Sequence, residues 1–284
     1  DPSYLRIESL AKNEVSYARI IESNLVNFQP KSGDTLYVKK FIYRSVEIVG
    51  AVNTPGTYRI SEKETLSTLI KKAEGYKSNA YPFGGILLNT KTLEINNEAA
   101  DRLYRTFVQN LITKGNALFA SDSLPLILGE LRNTKVSGRV MADFDLDLID
   151  ANPRLDTSLE DGDKIFIPVM TQQVYIYGEV SNPGTLRYNP GQSIKEYVKS
   201  SGGPLDSGDS KNIFVIHPNG QVNILYTRNL SLLTSSNDDL VYPGTVIYVP
   251  RKLLTKDATL IASIWAPIVS SLALSVTSLS ILDK

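Results

Sequence analysis

VEIVGAVNTPGTYRI, residues 46–60, returns 128 positions later as VYIYGEVSNPGTLRY, residues 174–188. Slid together, residues 46–76 match 174–204 without a gap. Val46 and Val174, Gly50 and Gly178, Pro55 and Pro183, Gly56 and Gly184, Arg59 and Arg187, and Gly75 and Gly203 are identical pairs. Self-similarity at a fixed offset marks a duplicated structural unit. Within each copy Val and Ile alternate with other residues in period two, the pattern of a half-buried strand. Pro fixes φ at the turn and the Gly after it can take φ > 0, so Pro55-Gly56 and Pro183-Gly184 are expected to close hairpins. Next, Leu66, Leu69, Ile70 and Ala73, or Ile194, Tyr197, Val198 and Ser201, follow helical spacing. Gly75 and Gly202-Gly203 are suited to stop those helices. A hairpin, one helix laid across it and then further strands describe an α+β grasp-like unit.

A second phrase borders the units. KSGDTLYV (31–38), LEDGDKIFIPV (159–169) and VYPGTVIYVPR (241–251) each pair a Gly turn with a short β-branched strand. Two carry Gly-Asp, and the third has Gly244-Thr245. Three closing strands against two complete openings imply that residues 1–40 are the back half of an earlier unit. The expected division is therefore 1–40, 41–169, 170–251 and a C-terminal segment 252–284. The first complete unit is longer by an insertion at 97–119, with Ala100, Leu103, Phe107, Leu111 and Ile112 spaced as one helical face and Asn97 as its N-cap. A strand pair is expected around Gly138. An exposed insertion of this kind either covers a sheet face or meets a neighbouring chain.

Composition narrows the chemistry. The 284 residues contain thirty basic and thirty acidic side chains, so no overall field draws the chain to nucleic acid. One His and no Cys remove most metal-ligand and thiol chemistry. His217, between a strand and a turn, reads as structural, and no nucleophile–His–acid arrangement is in view. The Gly-rich stretches lack the phosphate-loop and dinucleotide fingerprints. No catalytic residue, metal or cofactor is expected. Asp143, Asp145 and Asp147 alternate in DFDLDLID, which reads as three carboxylates on one solvated strand face without the turn Gly or terminal Glu of a calcium loop. Asp206 and Asp209 read as a polar turn. Tyr175 and Tyr177 alternate with Val174 and Ile176, so one pair faces outward if the other is core.

These residues resemble a known family. The Gly-x-Val-x-x-Pro-Gly strand, the helix ending in Gly and the closing LEDGDKIFIP look like the SLBB domain, the soluble-ligand-binding β-grasp module. Tandem SLBB units followed by one apolar C-terminal helix resemble the outer-membrane polysaccharide export family over about residues 40–284. The resemblance implies a homo-oligomeric ring in the periplasm, capped by a barrel of one helix per chain in the outer membrane of a Gram-negative bacterium. Capsular or extracellular polysaccharide would pass through it, handed over by an inner-membrane co-polymerase. The sequence departs from the family pattern in two places: the usual N-terminal export domain and the lipoprotein Cys that many members carry do not occur within these residues.

The tail is where membrane physics tests that implication. No charge occurs from Ala258 to Leu282. The 23 residues from Leu260 to Leu282, at about 1.5 Å each, make a helix of about 34 Å. A hydrocarbon core of about 30 Å is within its reach. Seven of those residues are Ser or Thr. On a helical wheel Ser263, Ser270, Ser271, Ser275, Thr277 and Ser278 gather on one side. Ile261, Trp265, Ile268, Leu272, Val276 and Leu279 fall opposite, and Ser280 and several Leu and Ile residues break the split. The hydroxyl side would line a pore and the other side would face lipid. The alternative is a soluble or tail-anchored glycan-binding or interaction scaffold without a pore.

Overall fold

The computed structural model describes residues 5–11, 14–19, 29, 35–38, 44–61, 63–114, 129, 136–226 and 240–252. The chain divides into two compact units, Asp1–Arg44 and Ser45–Lys284. In the first, β1 (Leu5–Ala11) lies between β2 (Glu14–Arg19) and β3 (Thr35–Val38), antiparallel to both.

The second unit contains both copies of the opening motif. The first repeat comprises β4 (Arg44–Gly50), β5 (Gly56–Ile60), helix α1 (Leu66–Lys72), β6 (Ile86–Leu88), helix α2 (Thr90–Lys114), β7 (Arg139–Val140), helix α3 (Leu146–Ala151) and β8 (Lys164–Ile167). The second comprises β9 (Gln173–Gly178), β10 (Gly184–Arg187), helix α4 (Ile194–Ser200), β11 (Asn212–Ile216), β12 (Val222–Tyr226) and β13 (Val246–Val249). Their sheets run β5-β4-β8-β6-β7 and β10-β9-β13-β11-β12, the same topology twice. At each centre the opening strand pairs in parallel with the closing strand. A parallel pair needs a long crossover, and α1 or α4 lies within it. The order β2-β1-β3 in the first unit has the sense of β12-β11-β13.

Period-two alternation buries what it should. Val46 and Ile48, and Val174 and Ile176, lie in the cores, while Tyr175 and Tyr177 are half-buried on the other face. The helical spacing is also met: Leu66, Leu69, Ile70 and Ala73 are buried in one core, and Ile194, Tyr197, Val198 and Ser201 in the other. Both helices end in the same way. The amides of Gly75 and Gly203 donate to the carbonyls of Ile70 and Val198, and those of Glu74 and Gly202 to Lys71 and Lys199. This is the Schellman pattern, with Glu74 (φ +61°) standing in the left-handed position that Gly202 fills in the second repeat.

The closing turns explain why Gly-Asp and Gly-Thr alternate. The Asp163 carboxylate accepts from the Glu160 amide at 2.7 Å. The Thr245 hydroxyl accepts from the Tyr242 amide at 2.9 Å. Both side chains are buried, and each supplies the oxygen that its turn requires.

Four expectations are corrected. Gly184 has the positive φ expected of it, +155°, but Gly56 does not; Gly50 and Gly178, at the strand ends, have φ of +94° and +88°. A Cβ at Gly50 would collide with the Ile167 carbonyl, and one at Gly178 with that of Val249, because the parallel strands approach closely there. Helix α2 begins at Thr90 rather than near residue 97, since the Asn89 side chain already accepts from the Thr92 amide at 3.0 Å. Asn97 is thus mid-helix. The partner of β7 is β6, not a strand across Gly138. Asp143, Asp145 and Asp147 do not share a strand face. Asp143 accepts from the Asp145 amide, and Asp145 accepts from Asp147 and Leu148 as the N-cap of α3. Short carboxylates compete with the sheet for backbone amides, and here the turn and helix win.

Candidate functional site

Beside this turn an open groove of about 1010 Å³ forms at the junction of the two repeats. Its floor is aromatic. Gly85 lies directly beneath the Phe144 ring, where a Cβ would collide. The Tyr76 hydroxyl donates to the Phe144 carbonyl at 2.6 Å. Burial, then the charges of Asp145 and Asp143, push the Tyr76 phenol well up, so it stays a donor. The rim is apolar and exposed: Phe83, Met141, Leu148, Leu155 and Met170 each expose more than a third of their surface. Asp143, Asp145 and Asp147 border it against one cation, Arg154, and Asn219 and Gln221 enter from the second repeat.

The wall shared by the repeats is an aromatic wedge backed by one guanidinium. Phe83 lies 6.0 Å from Tyr81 and 4.8 Å from Tyr242 of the second repeat, whose ring meets His217 edge-on at 5.4 Å. Such offset and tilted pairs suit aromatic quadrupoles. Arg139 Nη2 donates to the Gly85 carbonyl at 3.0 Å and to the Pro218 carbonyl at 2.7 Å, bridging the repeats. Burial lowers its pKa to about 10, which leaves it charged at neutral pH. Gly220 (φ +91°) lets the chain pass beside this guanidinium; a Cβ there would come within 2.8 Å of Cζ. His217 is buried beside Asn223, as a structural histidine should be.

Of the residues singled out in the sequence, Asp143, Asp145 and Asp147 border this groove, and the turn residues of the repeats do not. Gly50, Pro55, Gly56, Gly178, Pro183 and Gly184 shape the repeat openings. Asp209 folds the expected turn by accepting from the Lys211 amide and the Asn212 side chain. All twelve tail positions, hydroxyl and apolar, lie outside the described residues. Among the described residues no helix is long and apolar enough to cross a membrane, and no group of three or more His, Asp or Glu could hold a metal ion. What sequence reasoning missed is the groove itself. Its signal was the aromatic phrase YPFGG (81–85) and the Asp-rich turn, neither of which recurs in the second repeat.

Comparison with known proteins agrees with the repeat. Residues 172–249 and residues 45–85 each match the SLBB domain family. Two Escherichia coli sequences of the polysialic acid transport protein KpsD are each 30% identical to the chain over 99 residues. That stretch is 35% of this chain and 16% of each relative.

Proposed function

We infer that this chain, a tandem-SLBB protein of the outer-membrane polysaccharide export type, forms a homo-oligomeric ring through which polysaccharide leaves a Gram-negative cell. Its SLBB units stand in the periplasm, and residues 258–282 of each copy add one helix to a pore in the outer membrane. Capsular or extracellular polysaccharide is the cargo, received from an inner-membrane co-polymerase. Residues 1–40 supply the back half of a further unit, in keeping with the strand order β2-β1-β3. One observation carries the reading: tandem SLBB domains lead into a long run without a charge.

The ring follows from the tail's chemistry. A lone helix with a hydroxyl stripe leaves polar groups poorly satisfied in lipid, and neighbouring copies remedy this together. Hydroxyls at Ser263, Ser270, Ser271, Ser275, Thr277 and Ser278 offer a passing glycan many weak partners and no fixed charge. Single-particle imaging of the detergent-extracted chain tests the proposal. Rings with a tapered cap support it, and dispersed monomers overturn it. In cells, Ser275→Leu should reduce export well below the level left by Leu272→Ile; equal export would reverse the assignment of faces. A second reading, a glycan-binding scaffold without a pore, draws on the open groove beside Phe83. Monodisperse solubility of the full chain without detergent would select it.

A further inference from the structure

The two repeats keep one register, so their surfaces can be compared position by position. Ile86 pairs with Phe166 in the first sheet as Phe214 pairs with Tyr248 in the second. By the same offsets Phe83 corresponds to Lys211 and Met170 to Lys252, and all four are exposed. The fold accepts a charge at both places, and the first repeat puts a phenyl ring and a thioether there instead. Met141, Leu148 and Leu155 join them around the groove, each exposing 40% or more of its surface. Every residue that lines the groove is among the described ones. Contiguous apolar surface with a polar rim marks an interaction site.

Charge and shape name the occupant. The charged residues that line the groove are Asp143, Asp145, Asp147 and Arg154, so it repels an anionic polymer and draws in a cation. Sugar rings stack on flat aromatic faces, yet of the five exposed apolar residues only Phe83 is aromatic. Flexible thioethers and branched chains conform instead to the side chains of a peptide. The floor is already set, with Phe144 seated on Gly85 and held by Tyr76, so binding needs little further ordering. We propose that the groove receives a segment of a second protein in which Lys or Arg side chains stand beside aliphatic ones. The aliphatic groups cover Phe83, Met141 and Leu148, and the cations meet Asp143 and Asp147. Acidic, methionine-bearing grooves take basic amphipathic segments in this way. The assignment goes beyond the export reading and needs neither ring nor pore.

Random dodecapeptides displayed on phage and panned against the full chain in detergent supply the probe. Enriched peptides should combine Lys or Arg with Leu, Ile or Met. Their synthetic versions, followed by fluorescence anisotropy, should bind more weakly as salt rises. Asp147→Lys and Leu148→Ser should each weaken binding about tenfold, whereas Asp206→Lys, an equal charge change on the second repeat, should leave it within about twofold. Asp147, Leu148 and Asp206 are all exposed, so thermal unfolding of the three variants should match that of the parent chain. No enrichment, an acidic consensus, or undiminished binding by Asp147→Lys and Leu148→Ser overturns the proposal. Displacement of the peptide by maltoheptaose overturns it too, and returns the groove to the glycan-binding reading. Dispersed monomers, which defeat the ring, leave these measurements unchanged.

Discussion

At the scale of single residues, the two repeats are held in register by glycines whose lack of a side chain is used twice over. Gly50 and Gly178 combine a left-handed backbone with a neighbouring carbonyl, of Ile167 or Val249, pressed where Cβ would stand. A left-handed conformation alone costs an L-residue about 1–2 kcal/mol, and the collision adds to it. Gly50→Ala or Gly178→Ala should therefore lower stability by at least about 2 kcal/mol. Gly56→Ala, with open space around it and no positive φ, should be nearly neutral. Urea unfolding of the three variants checks both statements. The Gly-x-Val-x-x-Pro-Gly spacing was visible in the sequence, yet which glycine mattered was not. A turn dipeptide signals a bend from its neighbours alone, whereas a close strand approach is set by a residue more than seventy positions away.

Among the elements, α1 and α4 are equivalent helices started by different means. In α4, Ser193 and Glu196 form a reciprocal capping box, the Glu196 carboxylate accepting the Ser193 amide at 2.7 Å. That bond and the Ser193 hydroxyl hold the Glu196 carboxyl below its usual range. In α1, Thr65 makes no such bond. The first amides are met from afar: Leu66 donates to the Thr157 carbonyl at 2.8 Å, and Ser67 donates to the Asp156 carboxylate through its amide at 3.1 Å and its hydroxyl at 2.6 Å. Removing a cap costs about 1 kcal/mol. Ser193→Ala should cost about that in the second repeat and Asp156→Ala at least about as much in the first, while Thr65→Ala should change little. Chemical denaturation resolves the three. The motif Ser-x-x-Glu is legible in a single short stretch of chain; a carboxylate 89 positions away is not. The same contrast explains the Asp-rich turn, where alternation suggested a strand and hydrogen bonding to the next amides made a helix start.

For the whole molecule, the decisive contact is the one that makes the two repeats a single unit. Arg139 links Gly85 of the first to Pro218 of the second, across 54 and 79 positions of sequence. Hydrogen bonds to a charged donor contribute about 1.5–3 kcal/mol, so Arg139→Met should remove about that much coupling. Calorimetry should then show one cooperative transition separating into two, one for each repeat; an unchanged single transition would place the coupling elsewhere. Sequence alone determined the duplication, the strand alternation, the buried helix faces and the uncharged tail, because each is written in the order of residue types along a continuous stretch of chain. Only the tertiary structure decided the Arg139 bridge, the borrowed Asp156 cap and the acidic groove. These form where sheet register brings distant loops together, and pairing register is a collective result of packing that no short stretch of residues records.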